Sequence, residues 1–376
     1  MTGRFPSQCR KIRPSFGRRL RNIEMSKFRH RSLHLLGVLL TGLLFTLLAA
    51  CSKANPQSTF DTLGPVSRNQ ATILYVIAGV GTFVFILVFG ILAYTVIRYR
   101  RRSPDDPDPP QIHGNDKLEV AWTIAPAIVL IAVAVPTLQG IFYAANPPTE
   151  ARLTVEATGH QWWFEFKYPE LGVVTANEMH IPEDEAVIVE LRSVDVNHSF
   201  WVPKLAGKVD MIPNNENRLW LQADESGMYY GQCAEFCGES HAKMRFRVVV
   251  EPRAEFDAWV ARQQAAAAVP GDPLAKEGHD LFMSNQARCF ACHTIAGTQK
   301  ARGTVGPNLT HFASRQHLAA GNLENTQENL RMWLEDPDAV KPGNLMSRDA
   351  AVYNGQGEPL TEPQISALVA FLRSLE

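Results

Sequence analysis

Charge of one sign is what this sequence most plainly lacks. Its 37 Lys and Arg stand against 38 Asp and Glu, a formal net charge of -1. That balance argues against a nucleic-acid binder, which needs a cationic surface to meet phosphates. Cysteine is scarce too, with six in 376 residues. Disulfide scaffolds are short chains with dispersed cysteines. Here four of the six fall into two tight pairs, Cys233/Cys237 and Cys289/Cys292, each followed closely by a His. The pattern reads as metal or cofactor attachment, with two small disulfide loops in an oxidising compartment as the plainer alternative. A chain of this length has room for two or three domains, and its 45% hydrophobic content hints at membrane segments.

The first 34 residues carry many Arg and Lys and a single acid, Glu24. An apolar run over 33–50 follows and ends Leu48-Ala49-Ala50-Cys51. A basic stretch, an apolar stretch and small residues at the cut describe a secretory signal over residues 1–50. The cysteine at the cut resembles a bacterial lipoprotein signal, in which Cys51 would receive the lipid. An ordinary membrane helix containing a cysteine is the alternative. Met25 is a candidate start, and Cys9 would then be irrelevant.

Residues 51–150 read as a transmembrane hairpin, with apolar spans at about 71–97 and 120–143, each longer than the roughly 20 residues that cross a bilayer core. Between them Arg98, Arg100, Arg101 and Arg102 form a basic cluster, which the positive-inside rule assigns to the cytoplasm. Both outer ends, and everything beyond residue 150, then lie on the far side. Pro104 to Pro110 looks like a solvated connector. Pro126 and Pro136 are tolerable in a membrane helix, where neighbours satisfy freed backbone groups. Glu119, at the mouth of the second span, is a candidate for proton uptake, although an interfacial acid is commonly just hydrated.

Over 151–252 the pattern changes to short β-type runs, among them Leu153–Glu156, Ala186–Leu191, Arg218–Leu221 and Met244–Val250. About seven strands in this span suggest an all-β Greek-key sandwich or barrel. Its chemistry sits in one dozen residues, Cys233-Ala234-Glu235-Phe236-Cys237-Gly238-Glu239-Ser240-His241-Ala242-Lys243-Met244, with His198 upstream. Soft thiolate and thioether donors with imidazole favour copper over hard cations. Structural zinc prefers four strong ligands, and the usual Cys-x-x-Cys spacing is absent here.

This block resembles the binuclear CuA site of cytochrome c oxidase subunit II, and the resemblance spans roughly residues 59–251. It includes Gly159-His160-Gln161-Trp162-Trp163, Tyr229-Tyr230-Gly231-Gln232, Asp210-Met211-Ile212-Pro213 and Glu119-Val120-Ala121-Trp122-Thr123. The resemblance implies a cupredoxin-like domain in which Cys233 and Cys237 bridge two coppers, with His198 and His241 binding one each. Met244 and the Glu235 backbone carbonyl would be weak ligands. The Glu235 carboxylate matches a position that binds magnesium or manganese at a subunit interface. Trp162 matches an electron-entry tryptophan, whereas Trp163 reads as packing. His113, His160, His180, His279, His311 and His317 have no ligand partners by spacing and read as surface or structural.

Residues 253–273 read as a helix, thinning into an Ala run, and a Pro/Gly linker. Residues 274–376 then carry Cys289-Phe290-Ala291-Cys292-His293, the c-type haem attachment motif, with two thiols for the haem vinyls and a His for the iron. Helical patterns at about 273–285, 326–335 and 362–375, together with Gly306-Pro307-Asn308-Leu309, resemble a class I cytochrome c domain. Met346, in Lys341-Pro342-Gly343-Asn344-Leu345-Met346, resembles the distal methionine, a ligand that raises the potential of a low-spin haem. Met283 and Met332 read as core residues.

The whole order is multidomain: transmembrane hairpin, all-β cupredoxin-like domain, all-α cytochrome c domain. It resembles the fused subunit II of caa-type cytochrome c oxidases. The resemblance implies a bacterial inner-membrane electron relay, taking electrons from a cytochrome c or a quinol–cytochrome c oxidoreductase. Its partners would be subunit I, which reduces dioxygen and pumps protons, and subunit III. This chain lacks the membrane histidines needed to hold haems in the bilayer. A CuA-bearing nitric oxide reductase subunit is poorly separated from this reading. A quinol oxidase subunit II lacks the copper ligands present here, and a copper-delivery lipoprotein would need neither hairpin nor haem. Nitrous oxide reductases carry a repeat-built domain for which there is no room.

Overall fold

The computed structural model describes residues 37–39, 41–43, 55–267 and 270–376. Cys51 and nearly all of the expected signal segment lie outside the described residues.

Two long apolar helices come first, α1 (Pro65–Arg98) and α2 (Asp116–Ala145), both long and apolar enough to cross a membrane. Each extends past its apolar run because its ends carry polar terminating residues. Pro65 opens α1, where a missing N–H costs nothing, and Arg98 sits in its last turn, where a cation suits the helix dipole. At the start of α2 the Asn115 side chain accepts from the Leu118 amide at 3.2 Å, and Glu119 Oε1 accepts from the Asn115 amide at 3.3 Å. Glu119 therefore helps close the helix N-terminus.

Ten strands follow, β1 (Leu153–His160) to β10 (Arg245–Glu251), in two five-stranded sheets. With β2 at Trp163–Tyr168, β3 at Val173–Ala176, β5 at Val187–Ser193, β8 at Asn217–Leu221 and β9 at Gly227–Cys233, one sheet has the order β3-β2-β1-β5-β8 and the other β4-β10-β9-β6-β7. The expected count of about seven is too low. Several strands are short, among them β4 (Glu178–Pro182), β6 (His198–Trp201) and β7 (Val209–Met211). In three to five residues alternation barely registers, and β4 buries its Glu178. The sheets close on aromatic side chains. Phe246 of β10 lies 4.7 Å, ring to ring, from Phe164 of β2 and 4.7 Å from Phe200 of β6. The hairpin joins this cupredoxin-like body through polar contacts. The Ser67 hydroxyl donates to the Lys204 carbonyl at 2.7 Å, and the Trp220 indole donates to the Tyr143 carbonyl at 3.2 Å.

Helix α3 (Arg253–Gln263) leads to an α-rich domain containing α4 (Pro273–Phe282), α5 (Gln327–Glu335), α6 (Pro337–Val340), α7 (Leu345–Asp349) and α8 (Glu362–Arg373). Asp272 and Thr326 cap α4 and α5 with their side chains, as short polar residues do at N-caps. Met332 does not join the core as its helical pattern suggests. It is 42% exposed, because α5 turns Leu330 and Leu334 inward instead. Helices α4 and α8 pack so closely that a Cβ on Gly278 would come within 2.0 Å of the Ala367 carbonyl oxygen. Gly278→Val is expected to destabilise this domain by about 1–3 kcal/mol, the usual cost of overpacking. Thermal denaturation of the haem-loaded chain checks it, and an unchanged melting temperature would refute the close approach.

Candidate metal and haem sites

The candidate copper ligands come from two strand ends and one loop. His198 opens β6 and Cys233 closes β9 (Gly227–Cys233). The loop returns through Cys237 and a short turn at His241–Lys243 to Met244. The Cys233 amide donates to the Met244 carbonyl at 2.9 Å, closing the loop's base. The result is a buried cluster. The two Sγ atoms lie 3.8 Å apart, and both cysteines are free. His198 Nδ1 is 3.9 Å from Cys233 Sγ, His241 Nδ1 is 3.5 Å from Cys237 Sγ, and Met244 Sδ is 3.8 Å from Cys237 Sγ. The Glu235 carbonyl oxygen is 3.2 Å from Cys233 Sγ. Ligand atoms of His198, Cys233 and Cys237 all lie within 4.8 Å of one another. The Glu235 carboxylate makes no hydrogen bond or ion pair with any described residue.

The protonation of this cluster fits a metal. The Cys237 thiol hydrogen-bonds Cys233 and holds it down at about 4, against burial. The charge left on Cys233, together with burial, pushes Cys237 far up. Two sulfurs this close cannot both shed protons in a buried site unless a cation compensates them. A soft metal supplies that compensation.

Asp195, which carried no assigned role in the sequence, holds His198 in place. Its Oδ1 lies 2.8 Å from His198 Nε2, leaving Nδ1 on the sulfur side. Burial works to raise the Asp195 carboxyl, but bonds from His198 and from the Val196 and Gln161 amides outweigh it and hold the group below its ordinary range. A carboxylate behind an imidazole fixes its orientation and makes it a stronger donor. The only hint in the sequence is an acid three residues before the His.

A second site lies in the α-rich domain, where an apolar cleft of about 1470 Å³, open mouth included, is lined by Cys289, Cys292, His293 and Met346. Its lining of two thiols, an imidazole and a thioether among apolar side chains is the donor set that holds a c-type haem. The His293 ring donates from Nδ1 to the Pro307 carbonyl at 2.8 Å, which leaves Nε2 unprotonated. Burial also lowers His293, so the ring is neutral, as an iron ligand requires. Gly306 makes this approach possible, since a Cβ there would lie 2.5 Å from His293 Cε1. Met346 is carried on α7, which Asn344 caps by accepting from the Ser347 amide at 2.9 Å.

Trp162 borders both sites. Its indole donates to the Cys237 carbonyl at 2.9 Å and its ring lines the cleft. Gln161 donates to the same carbonyl at 2.7 Å. Trp163 also lines the cleft, stacked 4.1 Å from His160, so it does more than pack the β domain. His180 stacks on Trp259 at 4.2 Å, and His311 is buried against backbone carbonyls, as structural histidines. His317 bonds Glu178 and lines the cleft.

Asp195→Asn is expected to weaken copper binding by about 10–100-fold, the usual cost of losing a ligand's outer partner. Copper titration of the folded chain measures it, and parent-like affinity would remove Asp195 from the site.

Family models agree with this layout. The model for "Cytochrome C oxidase subunit II, periplasmic domain" matches residues 173–252, that for the subunit's transmembrane domain matches 61–139, and that for cytochrome c matches 275–376. Cytochrome c oxidase subunit 2 of Alkalihalophilus pseudofirmus is 39% identical, over 88% of this chain and 94% of its own. The same subunit of Bacillus subtilis is 33% identical, over 90% and 97%. The crystal structure of the periplasmic domain of subunit II of cytochrome oxidase from Bradyrhizobium japonicum is 34% identical, covering 30% of this chain and 94% of that one, with a TM-score of 0.30. The matched domains imply copper as CuA and haem c, and the group His198, Cys233 and Cys237 fits a CuA site. The chain, with its two apolar helices, cupredoxin-like domain and cytochrome c domain, belongs to the cytochrome c oxidase subunit II family and has that family's general role in electron transfer.

Proposed function

We propose that this chain receives electrons at a covalent haem c, relays them to a binuclear CuA centre, and delivers them to the haem–copper site of oxidase subunit I. There dioxygen is reduced to water with proton translocation. The observation that carries this reading is the position of Trp162, in contact with a proposed copper-ligand residue and with the haem cleft at once. When bound, a thiolate-bridged copper pair and a His/Met-ligated haem each exchange single electrons with little rearrangement.

The chain's own residues do the positioning. Cys289 and Cys292 would tether a haem, with His293 and Met346 as the residues to hold its iron, and burial raises both thiols. Cys233 and Cys237 would hold both coppers, His198 and His241 would bind one each, and Met244 and the Glu235 carbonyl would be the weak ligands. The free Glu235 carboxylate is available to magnesium or manganese at the boundary with subunit I. The basic cluster Arg98, Arg100, Arg101 and Arg102 supports a cytoplasmic loop between the helices, with both cofactor domains on the outer side and Cys51 there to be lipidated. Glu119 stands at the cytoplasmic mouth of α2 as a proton-uptake acid. Subunit III and a cytochrome c or quinol–cytochrome c oxidoreductase donor complete the partners. Because haem and copper share one chain, transfer between them does not depend on collision with a free cytochrome.

The haem is expected to survive acid–acetone extraction, and a colourless denatured chain would remove the cytochrome assignment. Cys237→Ser is expected to abolish the mixed-valence copper signal delocalised over two metals. Deleting 270–376 is expected to leave that signal intact while slowing electron entry; loss of the signal on deletion would contradict the proposed independence of the two sites.

A further inference from the structure

One side chain in the haem cleft serves neither iron ligation nor covalent attachment. Lys341 lines the cleft and is only 5% exposed. Its backbone is pinned, with its amide on the Pro337 carbonyl at 2.9 Å and its own carbonyl accepting from Asn344 at 2.7 Å. Its ammonium, by contrast, has no hydrogen bond or ion pair with any described residue. Burial drives it down to about 7, with charge on the Cys237 sulfur opposing that shift and the Lys243 ammonium adding to it. A buried lysine without a counter-charge is costly and rare. No other group of the cleft can supply that charge. Asp349, the acid among the lining residues, is exposed and paired with Arg348 at 2.8 Å. A part-buried cation of the lining, Arg315, donates to the Asn308 carbonyl. The cleft thus presents an unspent positive charge to whatever fills it.

We propose that Lys341 is the counter-cation of a haem propionate, its ammonium binding a carboxylate of the tetrapyrrole that Cys289 and Cys292 tether. This rests on the haem reading of the cleft. No bond is made or broken, and the proton stays on Lys341 Nζ. The pair is self-supporting: the carboxylate keeps the lysine charged, and the lysine keeps the carboxylate ionised in apolar surroundings. Without the ammonium the buried carboxylate retains its proton into the neutral range. Once that proton leaves, the new negative charge favours ferric over ferrous haem. Lys341 is therefore a positioning residue whose effect is read in the haem potential.

The test is redox titration of the haem across the neutral pH range in the full chain, with Lys341→Arg and Lys341→Met beside the parent. Covalent haem is first verified on a denaturing gel, and its absence from the parent would count against the cytochrome reading itself. Parent and Lys341→Arg are expected to give midpoint potentials flat with pH. Lys341→Met is expected to give one that falls as pH rises. A Lys341→Met profile superimposable on the parent's would overturn the proposal. So would a substitution that moves the copper spectrum and leaves the haem potential unchanged. If Lys341→Met fails to accumulate, redox-difference infrared spectra of the parent with carboxyl-labelled haem decide the matter. The pairing requires a propionate that stays ionised below the ordinary carboxylic range; protonation within that range refutes it.

Discussion

A single backbone bond, from the Cys233 amide to the Met244 carbonyl at 2.9 Å, closes the loop on which both halves of this molecule depend. It continues the pairing of β9 with β10 and forces the intervening residues into a tight excursion. The inner side of that excursion gathers two sulfurs, an imidazole and a thioether beside His198. The outer side meets the cytochrome domain. The Ser240 hydroxyl donates to the Pro342 carbonyl at 2.6 Å, the Lys243 ammonium bonds the Val340 carbonyl, and Asn322 donates to the Lys243 carbonyl at 2.6 Å. The segment that shapes the copper site thus also receives the segment carrying Lys341 and Met346.

The two sites solve the same problem with different acceptors. Each orients an imidazole by engaging the nitrogen that faces away from the metal. His198 is engaged by the Asp195 carboxylate, whereas His293 is engaged by the neutral Pro307 carbonyl. A carboxylate makes the ring a more basic donor than a carbonyl does. The stronger push falls on the cluster of Cys233, Cys237 and His198, and the gentler one on the ring that lines the second cleft.

The candidate donor sets were legible in the sequence because they are local. Cys289-Phe290-Ala291-Cys292-His293 and the dozen residues ending at Met244 carry their donors at fixed spacing, and long apolar runs announce the hairpin. What escaped was built from ordinary letters brought together by the fold. Asp195, Lys341 and Glu178 are common polar residues with no spacing rule to mark them. Short β4 and β7 offer too few residues for alternation to register. Met332 sits in an amphipathic helix, but the facing of α5, set by Leu330 and Leu334, leaves it at the surface. Trp163 resembled filler because the cleft it borders is formed by residues more than a hundred positions later.

Glu178 has a wider consequence. It is 2% exposed on β4, and its carboxylate accepts from the Gln316 amide at 2.9 Å and the His317 amide at 2.7 Å. Nearby, buried Arg247 stacks 4.1 Å over the Tyr230 ring and donates to the Gly321 carbonyl at 2.9 Å. Cytochromes that meet their acceptors by diffusion use surface charges, and such encounters loosen as ionic strength rises. Here the charged groups of the junction are sealed from solvent and engage main-chain dipoles. The contact between the cytochrome domain and the β domain is thereby held by groups that bulk ions cannot reach, so it is insensitive to ionic strength.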